Sequence, residues 1–219
     1  MSNYISNLVQ LIDLSNLQSI IIRVVAVLLC LSVHETCHGL AAYALGDPTA
    51  KQQHRLSLNP IRHIDPIGLI MMFIAGFGWA KPVPVDMRYF KNPKSGMAIT
   101  ALAGPVSNLL LAFILLVPAG WMMDHAAATT LNIAIFRFLY SCAYLSVGLG
   151  VFNLIPIPPL DGSKILAVVL PDSTYMRLMR YEQYGFLIIL AIAFLGVGQG
   201  FLAYAIQAAF KWLSALAGF

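Results

Sequence analysis

Two histidines and a glutamate lie close together in an apolar part of the sequence. His34, Glu35 and His38 belong to the run His-Glu-Thr-Cys-His, in which the histidines are four residues apart. On a helix this spacing puts both imidazoles on one face, offset by about 40°. Two ring nitrogens so placed can bind one Zn²⁺, and Glu35 can reach a water molecule beside the metal. The pattern predicts the metal site of a hydrolase.

The alternative for the two histidines is a structural role, in which each ring only hydrogen-bonds to neighbouring helices. Three ionisable side chains within five residues count against that alternative. A carboxylate near the middle of a bilayer costs at least roughly 2.5–3.5 kcal/mol on insertion scales, so an unpaired Glu35 would destabilise the chain. We therefore favour metal binding.

Asp161 is the candidate for a third ligand, because a catalytic zinc usually has three protein ligands and one open position. It follows the proline-rich stretch 153–160, which interrupts an apolar segment. Such a broken segment is tolerated in a membrane only beside protein or a water-filled cavity. Taken alone, Asp161 fits a helix cap before Ser163 equally well. Beside the two histidines, the ligand role is favoured.

The composition indicates a membrane protein. Of the 219 residues, 59% are hydrophobic and 10% are charged, whereas soluble domains carry about a quarter charged residues. Several apolar runs approach the roughly 20 residues of a helical span. They predict an all-α polytopic membrane protein with four spans, at about 24–45, 96–122, 133–155 and from 184 onward. A fifth helix at 201–219 either spans the membrane or lies on its surface.

The apolar run 66–79 is shorter, at about 14 residues, and prolines bound it. This length favours a re-entrant or interfacial element over a span. If the run dips in and returns, ten of the thirteen basic residues lie on one side, which the positive-inside rule makes cytoplasmic. We expect one membrane domain, 1–219, with a catalytic core at about 24–166, C-terminal helices at 184–219 and its site toward the cytoplasm.

These residues resemble the site-2 proteases, a family of intramembrane zinc metalloproteases. The resemblance covers roughly residues 29–166. It includes the His34–His38 motif, then Gly-Pro-Val-Ser-Asn at 104–108, then the stretch 153–162, in the family's order and in the expected membrane segments. The chain lacks the extra modules of larger relatives and is similar to a minimal form of the family.

The resemblance implies a role for each candidate residue and a class of substrate. Substrates would be transmembrane proteins or peptides within the lipid bilayer, and the stretch Ile67–Val85 would form a membrane-associated β-element that pairs with unwound substrate backbone. One Zn²⁺ would be the cofactor. The implied roles are zinc ligation by His34, His38 and Asp161, general base catalysis by Glu35, contact with the substrate or its oxyanion by Asn153, and a place along the substrate path for Asn108.

Rival functions share parts of this pattern. A membrane metal or proton transporter also uses buried His, Glu and Asp residues, although no ladder of polar residues crosses the predicted spans. A catalytically silent relative and a zinc hydrolase acting on lipid are further alternatives. The scattered basic residues do not predict a nucleic-acid partner, and a homo-oligomer is compatible with the sequence. Small size and the lack of a targeting peptide favour a bacterial plasma membrane.

Overall fold

The computed structural model describes residues 14–75, 79–196 and 198–219, and this part of the chain is helical. Two short 3₁₀ helices, Pro60–Arg62 and Met87–Tyr89, lie in the connections. The α-helices in chain order are α1 (Leu14–Ala44), α2 (Thr49–Gln52), α3 (Pro66–Ala75), α4 (Pro93–His125), α5 (Thr130–Asn153), α6 (Asp161–Ile165), α7 (Asp172–Arg180), α8 (Glu182–Leu195) and α9 (Gln199–Leu216).

Within the described residues, three helices are long and apolar enough to cross a membrane. The qualifying segments are Ile21–Ala44 of α1 and the whole of α4 and α5. All three pack against one another as a bundle. They confirm an all-helical membrane fold and the first three predicted spans, with boundaries that differ by a few residues. The predicted fourth and fifth spans fall on α8 and α9, which are 14 and 18 residues long.

Small residues let the helices approach closely. Ala112 of α4 and Ala143 of α5 are fully buried, and a Cβ at Gly150 would lie 3.0 Å from the carbonyl oxygen of Pro105. Close backbone approach of this kind replaces the hydrophobic driving force that helices lack in lipid. Phe210 and Leu213 of helix α9 pack in the same buried hydrophobic cluster as Ala112 and Ala143. The core of the bundle therefore lies between α4, α5 and α9.

The β-element predicted for Ile67–Val85 is wrong for the described residues of that stretch, which contain no strand. Residues 66–75 form helix α3 instead, and the pairing in the region is one isolated bridge between Ile64 and Ala80. The reason is local: Asp65 caps the helix by accepting from the Gly68 amide at 2.9 Å, and Pro66 suits its first position. The apolar run that follows does not alternate with polar residues as a half-buried strand does.

Buried polar groups tie the segments together at one end of the bundle. Asp47, which is fully buried after α1, accepts from the backbone amide of Asp86 at 2.7 Å. The buried Arg55 side chain donates to the carbonyl oxygens of Arg62 and Lys81, each at 2.5 Å. These contacts hold both ends of the α3 segment beside the end of α1. An ion pair between Lys94 and Asp172 brings the starts of α4 and α7 to the same end.

Candidate metal centre

The two histidines of α1 face each other inside the bundle. His34 and His38 are 3% and 8% exposed, and their ring centroids are 4.5 Å apart. Their Nε2 atoms are separated by 3.0 Å, as the four-residue helical spacing predicts. His34 lies 13 residues after Ile21 and 10 residues before Ala44, the ends of the apolar segment. His34 therefore lies near the middle of the first span, and His38 lies one turn closer to its C-terminal end.

Asp161 reaches the same point from the other side of the bundle. Prolines after Asn153 end α5, and α6 begins at Asp161. Its Oδ2 atom lies 3.1 Å from Nε2 of His34 and 3.1 Å from Nε2 of His38. Lys164 lies on the opposite side of the carboxylate, with Nζ 3.6 Å from Oδ1. The carboxylate is thus oriented toward the imidazoles.

The hydrogen bonding of His38 leaves its Nε2 atom available as a metal ligand. Nδ1 of His38 lies 2.7 Å from the carbonyl oxygen of Thr100, which can only accept, so Nδ1 carries the proton. In the neutral His38 ring, Nε2 then carries a lone pair, which is directed at His34 and at the carboxylate of Asp161. Zinc bonds of about 2.0–2.1 Å at tetrahedral angles put two ligand atoms roughly 3.3 Å apart. The observed triangle of 3.0–3.1 Å fits that requirement closely.

Gly104 of α4 makes room for the two rings. A Cβ at this position would lie 2.4 Å from Nε2 of His38 and 2.7 Å from Cε1 of His34, distances at which something must move. The sequence motif contained this glycine, but the contact that requires it joins two helices. The absence of a side chain at Gly104 therefore leaves the space that the two imidazole rings occupy.

We expect Gly104→Ala to weaken zinc binding by roughly 10- to 100-fold, the range seen when groups that support metal ligands are changed. The added methyl group must displace at least one imidazole, whereas the helix itself favours alanine over glycine. Titration with a competing zinc chelator measures the change. Gly200→Ala is the matched control, because a Cβ there meets nothing within 4 Å. Equal zinc affinity in both variants would exclude the positioning role.

Glu35 is held by a backbone amide. Its Oε2 atom accepts from N–H of Val83 at 2.9 Å, across a separation of 48 residues. The segment around Val83 has few other donors to offer: the Lys81 amide donates to the carbonyl of His63 at 2.8 Å, and both prolines of the Lys-Pro-Val-Pro run lack an N–H. A substrate strand would therefore find no free amide donor along residues 81–84. The contact with Glu35 was not visible in the sequence.

A cavity of about 660 Å³ contains the metal centre. Its walls come from α1, the segment before α4, the first turns of α4, the end of α5 and helices α6 and α8. Asn153 lines it, with its side-chain amide donating to the carbonyl of Leu149 at 3.0 Å. Asn108 does not line it: this residue is fully buried between α4 and α5, where Ser146 donates to its backbone carbonyl at 2.8 Å. Asn153 therefore borders the same cavity as His34, His38 and Asp161, whereas Asn108 is buried between two helices outside it.

The known proteins that this chain resembles are named as zinc metalloproteases, and the family that it matches is a peptidase family. Residues 117–196 match peptidase family M50, a stretch that includes Asn153 and Asp161 but not His34 and His38. A protein of Bacillus subtilis named "Putative zinc metalloprotease YwhC" is 40% identical over 173 residues, which cover 77% of this chain and 78% of that protein. No solved structure matches the chain.

Two further relatives carry similar names. "Putative zinc metalloprotease Rip2" of Mycolicibacterium smegmatis is 33% identical over 172 residues, which cover 75% of this chain and 63% of that protein. "Zinc metalloprotease MJ0392" of Methanocaldococcus jannaschii is 34% identical over 80 residues, or 36% of this chain and 22% of that protein. The chain thus spans less than two thirds of the length of these two relatives.

Proposed function

The chain belongs to peptidase family M50, the site-2 proteases, and from that premise we propose that His34, His38 and Asp161 hold its zinc ion while Glu35 acts as the general base. It is an intramembrane zinc metalloprotease. The observation that supports the assignment of residues is the convergence of three buried ligand atoms, from α1 and α6, within 3.1 Å of one another.

Each side chain has a separate task in hydrolysis. Zn²⁺ bound at this centre supplies a positive charge that acidifies water and polarises a carbonyl oxygen. Glu35, adjacent to the first ligand, accepts the proton of the attacking water and can return it to the leaving amine. The Val83 amide restricts the position of the Glu35 carboxylate. Lys164 holds Oδ1 of Asp161, so that Oδ2 remains directed at the ligand triangle.

We expect Val83→Pro to lower kcat by roughly 10- to 100-fold and to leave zinc content unchanged. Proline removes the N–H that holds Glu35, and a displacement of about 1 Å at a catalytic group can cost 100-fold in rate. The backbone should accept proline, since residue 83 already lies between two prolines and Pro84 restricts it to extended conformations. Val83→Ala keeps the amide and is the matched control. If both variants lose activity equally, the side chain and not the amide matters.

Substrates, in this proposal, are transmembrane segments of other proteins. The two histidines of the centre lie within an apolar span, so a peptide bond must reach them within the bilayer. A helical substrate keeps its carbonyl groups hydrogen-bonded, and residues that destabilise its helix should therefore aid cleavage. Asn153 is placed in the cavity where it can donate to the substrate or to the oxyanion that forms.

We also propose that α9, where the sequence predicts the fifth helix, crosses the membrane together with α1, α4 and α5. The metal centre, in this proposal, faces the cytoplasm. Helix α9 is about 27 Å long at 1.5 Å per residue, close to the thickness of the hydrocarbon core. It buries Phe210 and Leu213 against α4 and α5. Most basic residues of the chain lie in the segments joined at one end of the bundle, which the positive-inside rule favours as cytoplasmic. A bacterial plasma membrane fits this arrangement.

The transporter alternative gains no support from the relatives, whose names describe metalloproteases. Reconstitution in liposomes separates the two functions. With single-pass peptides as substrates, we expect two products whose masses sum to the peptide plus one water, and their loss when a zinc chelator is added. Zinc flux without peptide products would contradict the protease assignment.

A further inference from the structure

A second cavity lies beside the one that contains the metal centre. It has a volume of about 460 Å³, within the roughly 300–1,000 Å³ of ligand-binding pockets. Helices α1, α5 and α9 and the segment around α3 form its walls. Its lining includes Val27, Leu28, Leu145, Gly148 and Ile206.

The two cavities share a wall. Leu31, Leu149 and Phe152 border both, as do the backbone neighbours Trp79 and Ala80. Because the two cavities border the same side chains, we expect a peptide that lies across the metal centre to reach the second cavity with one of its side chains. This continuity favours an occupant that also reaches the centre.

The walls of the second cavity suit an apolar occupant. Two of the polar side chains that border it donate to backbone carbonyls of helices and not into the cavity. Sγ of Cys30 donates to the carbonyl oxygen of Cys142 at 3.6 Å, and Oγ of Ser32 donates to that of Leu28 at 2.6 Å. The remaining helix residues of the lining are mostly aliphatic or aromatic, whereas His63 and Asp65 border the cavity from the loop before α3, where His63 Nε2 lies 2.6 Å from the carbonyl oxygen of Ser57 and Asp65 accepts from the Gly68 amide. Burial of apolar surface contributes about 25 cal/mol per Å², so a large apolar side chain would bind there better than a small one.

We propose that this cavity is a specificity subsite for a bulky apolar side chain of the substrate, close to the scissile peptide bond. The proposal rests on the proposed function, because it needs a peptide across the metal centre. The occupant is a leucine, phenylalanine or tryptophan of the cleaved membrane segment. A lipid acyl chain is the competing occupant, and its presence would not depend on the sequence of the substrate.

Gly148 offers a way to fill the subsite without touching the catalytic residues. A Cβ at this position meets only Cδ1 of Ile206, at 3.9 Å, which is ordinary contact. A leucine here would extend into the cavity that Gly148 lines. Gly148 lies inside helix α5, where leucine has a higher helix propensity than glycine. The variant should therefore fold and retain zinc.

The test compares cleavage of single-pass peptides that carry alanine, leucine or tryptophan at each position flanking the cleaved bond. At one position we expect the wild-type protein to prefer the bulky residues. Gly148→Leu should lower kcat/KM for those substrates by roughly 10- to 200-fold, the usual range for pocket discrimination, and leave the alanine substrate nearly unchanged. Gly148→Ala should give a smaller change in the same direction. Gly200→Leu, which projects into open space, is the matched control.

The outcomes separate this inference from the proposed function. Wild-type protein that cleaves with no size preference, or a Gly148→Leu variant with full zinc and unaltered selectivity, would overturn the subsite alone. An equal loss for alanine and tryptophan substrates would also overturn it, because a subsite must discriminate. Zinc-loaded wild-type protein that cleaves none of the peptides would remove the proposed function and the subsite with it.

Discussion

Glu35→Gln should abolish peptide hydrolysis and leave the zinc content at the wild-type value. Glutamine keeps the size of the side chain and can still accept from the Val83 amide, but it cannot take a proton from water. General base catalysis contributes about 100- to 10,000-fold to rate, so kcat should fall at least that far. Single-turnover cleavage of a membrane peptide and elemental analysis of the same sample measure the two quantities.

The chain supplies its own control for this substitution. Glu182 is the other glutamate in the sequence and lines the same cavity from α8. Glu182→Gln changes the charge of the cavity equally without affecting the side chain beside the ligands, and we expect it to retain activity. Turnover by Glu35→Gln at more than a tenth of the wild-type rate would remove Glu35 from the role of base.

Asp161→Ala and His34→Ala should each weaken zinc binding by at least about 100-fold and abolish hydrolysis. Loss of groups that merely support a ligand already costs 10- to 100-fold in affinity, and these residues supply ligand atoms of the buried triangle. Removal of one also leaves charged or polar partners unpaired in a buried site. Zinc titration against a chelator of known affinity measures the binding.

Controls for the ligand variants come from the opposite end of the bundle. His125→Ala and Asp124→Asn alter exposed residues at the end of α4, and both should keep full zinc affinity. If Asp161→Ala binds zinc as tightly as the wild-type protein, the third ligand lies elsewhere.

The convergence of His34, His38 and Asp161 was predictable because its determinants are short sequence patterns. A spacing of four residues fixes the relative positions of His34 and His38 on any helix. Asp161 follows prolines that must end the preceding helix, so that a polar residue there needs a partner within the bundle. The first three spans follow from the length of their apolar runs.

The supporting contacts were not predictable because they join distant parts of the chain. The hydrogen bond between Val83 and Glu35 spans 48 residues, and the one between Thr100 and His38 spans 62. Neither leaves a periodic pattern in the sequence. Gly104 was noticed only as part of a motif, since its role depends on how closely α4 approaches α1.

The α3 segment shows where resemblance misleads. The β-element was expected from the family, whereas the local sequence already offered a capping residue, Asp65, followed by proline and a continuous apolar run. Those signals favour a helix start. The residues that flank α3 nevertheless lie together, because the Lys81 amide donates to the carbonyl of His63 at 2.8 Å.

X-ray absorption at the zinc edge, on wild-type protein purified in lipid, tests the proposed centre most directly. We predict about one zinc ion per chain, with nitrogen and oxygen neighbours at about 2.0–2.2 Å and a spectrum that contains two imidazole rings. In Asp161→Ala the same signal should be lost together with the metal. A sulfur neighbour at about 2.3 Å, or folded protein that binds no zinc when zinc is in excess, would contradict the assignment of His34, His38 and Asp161 as ligands.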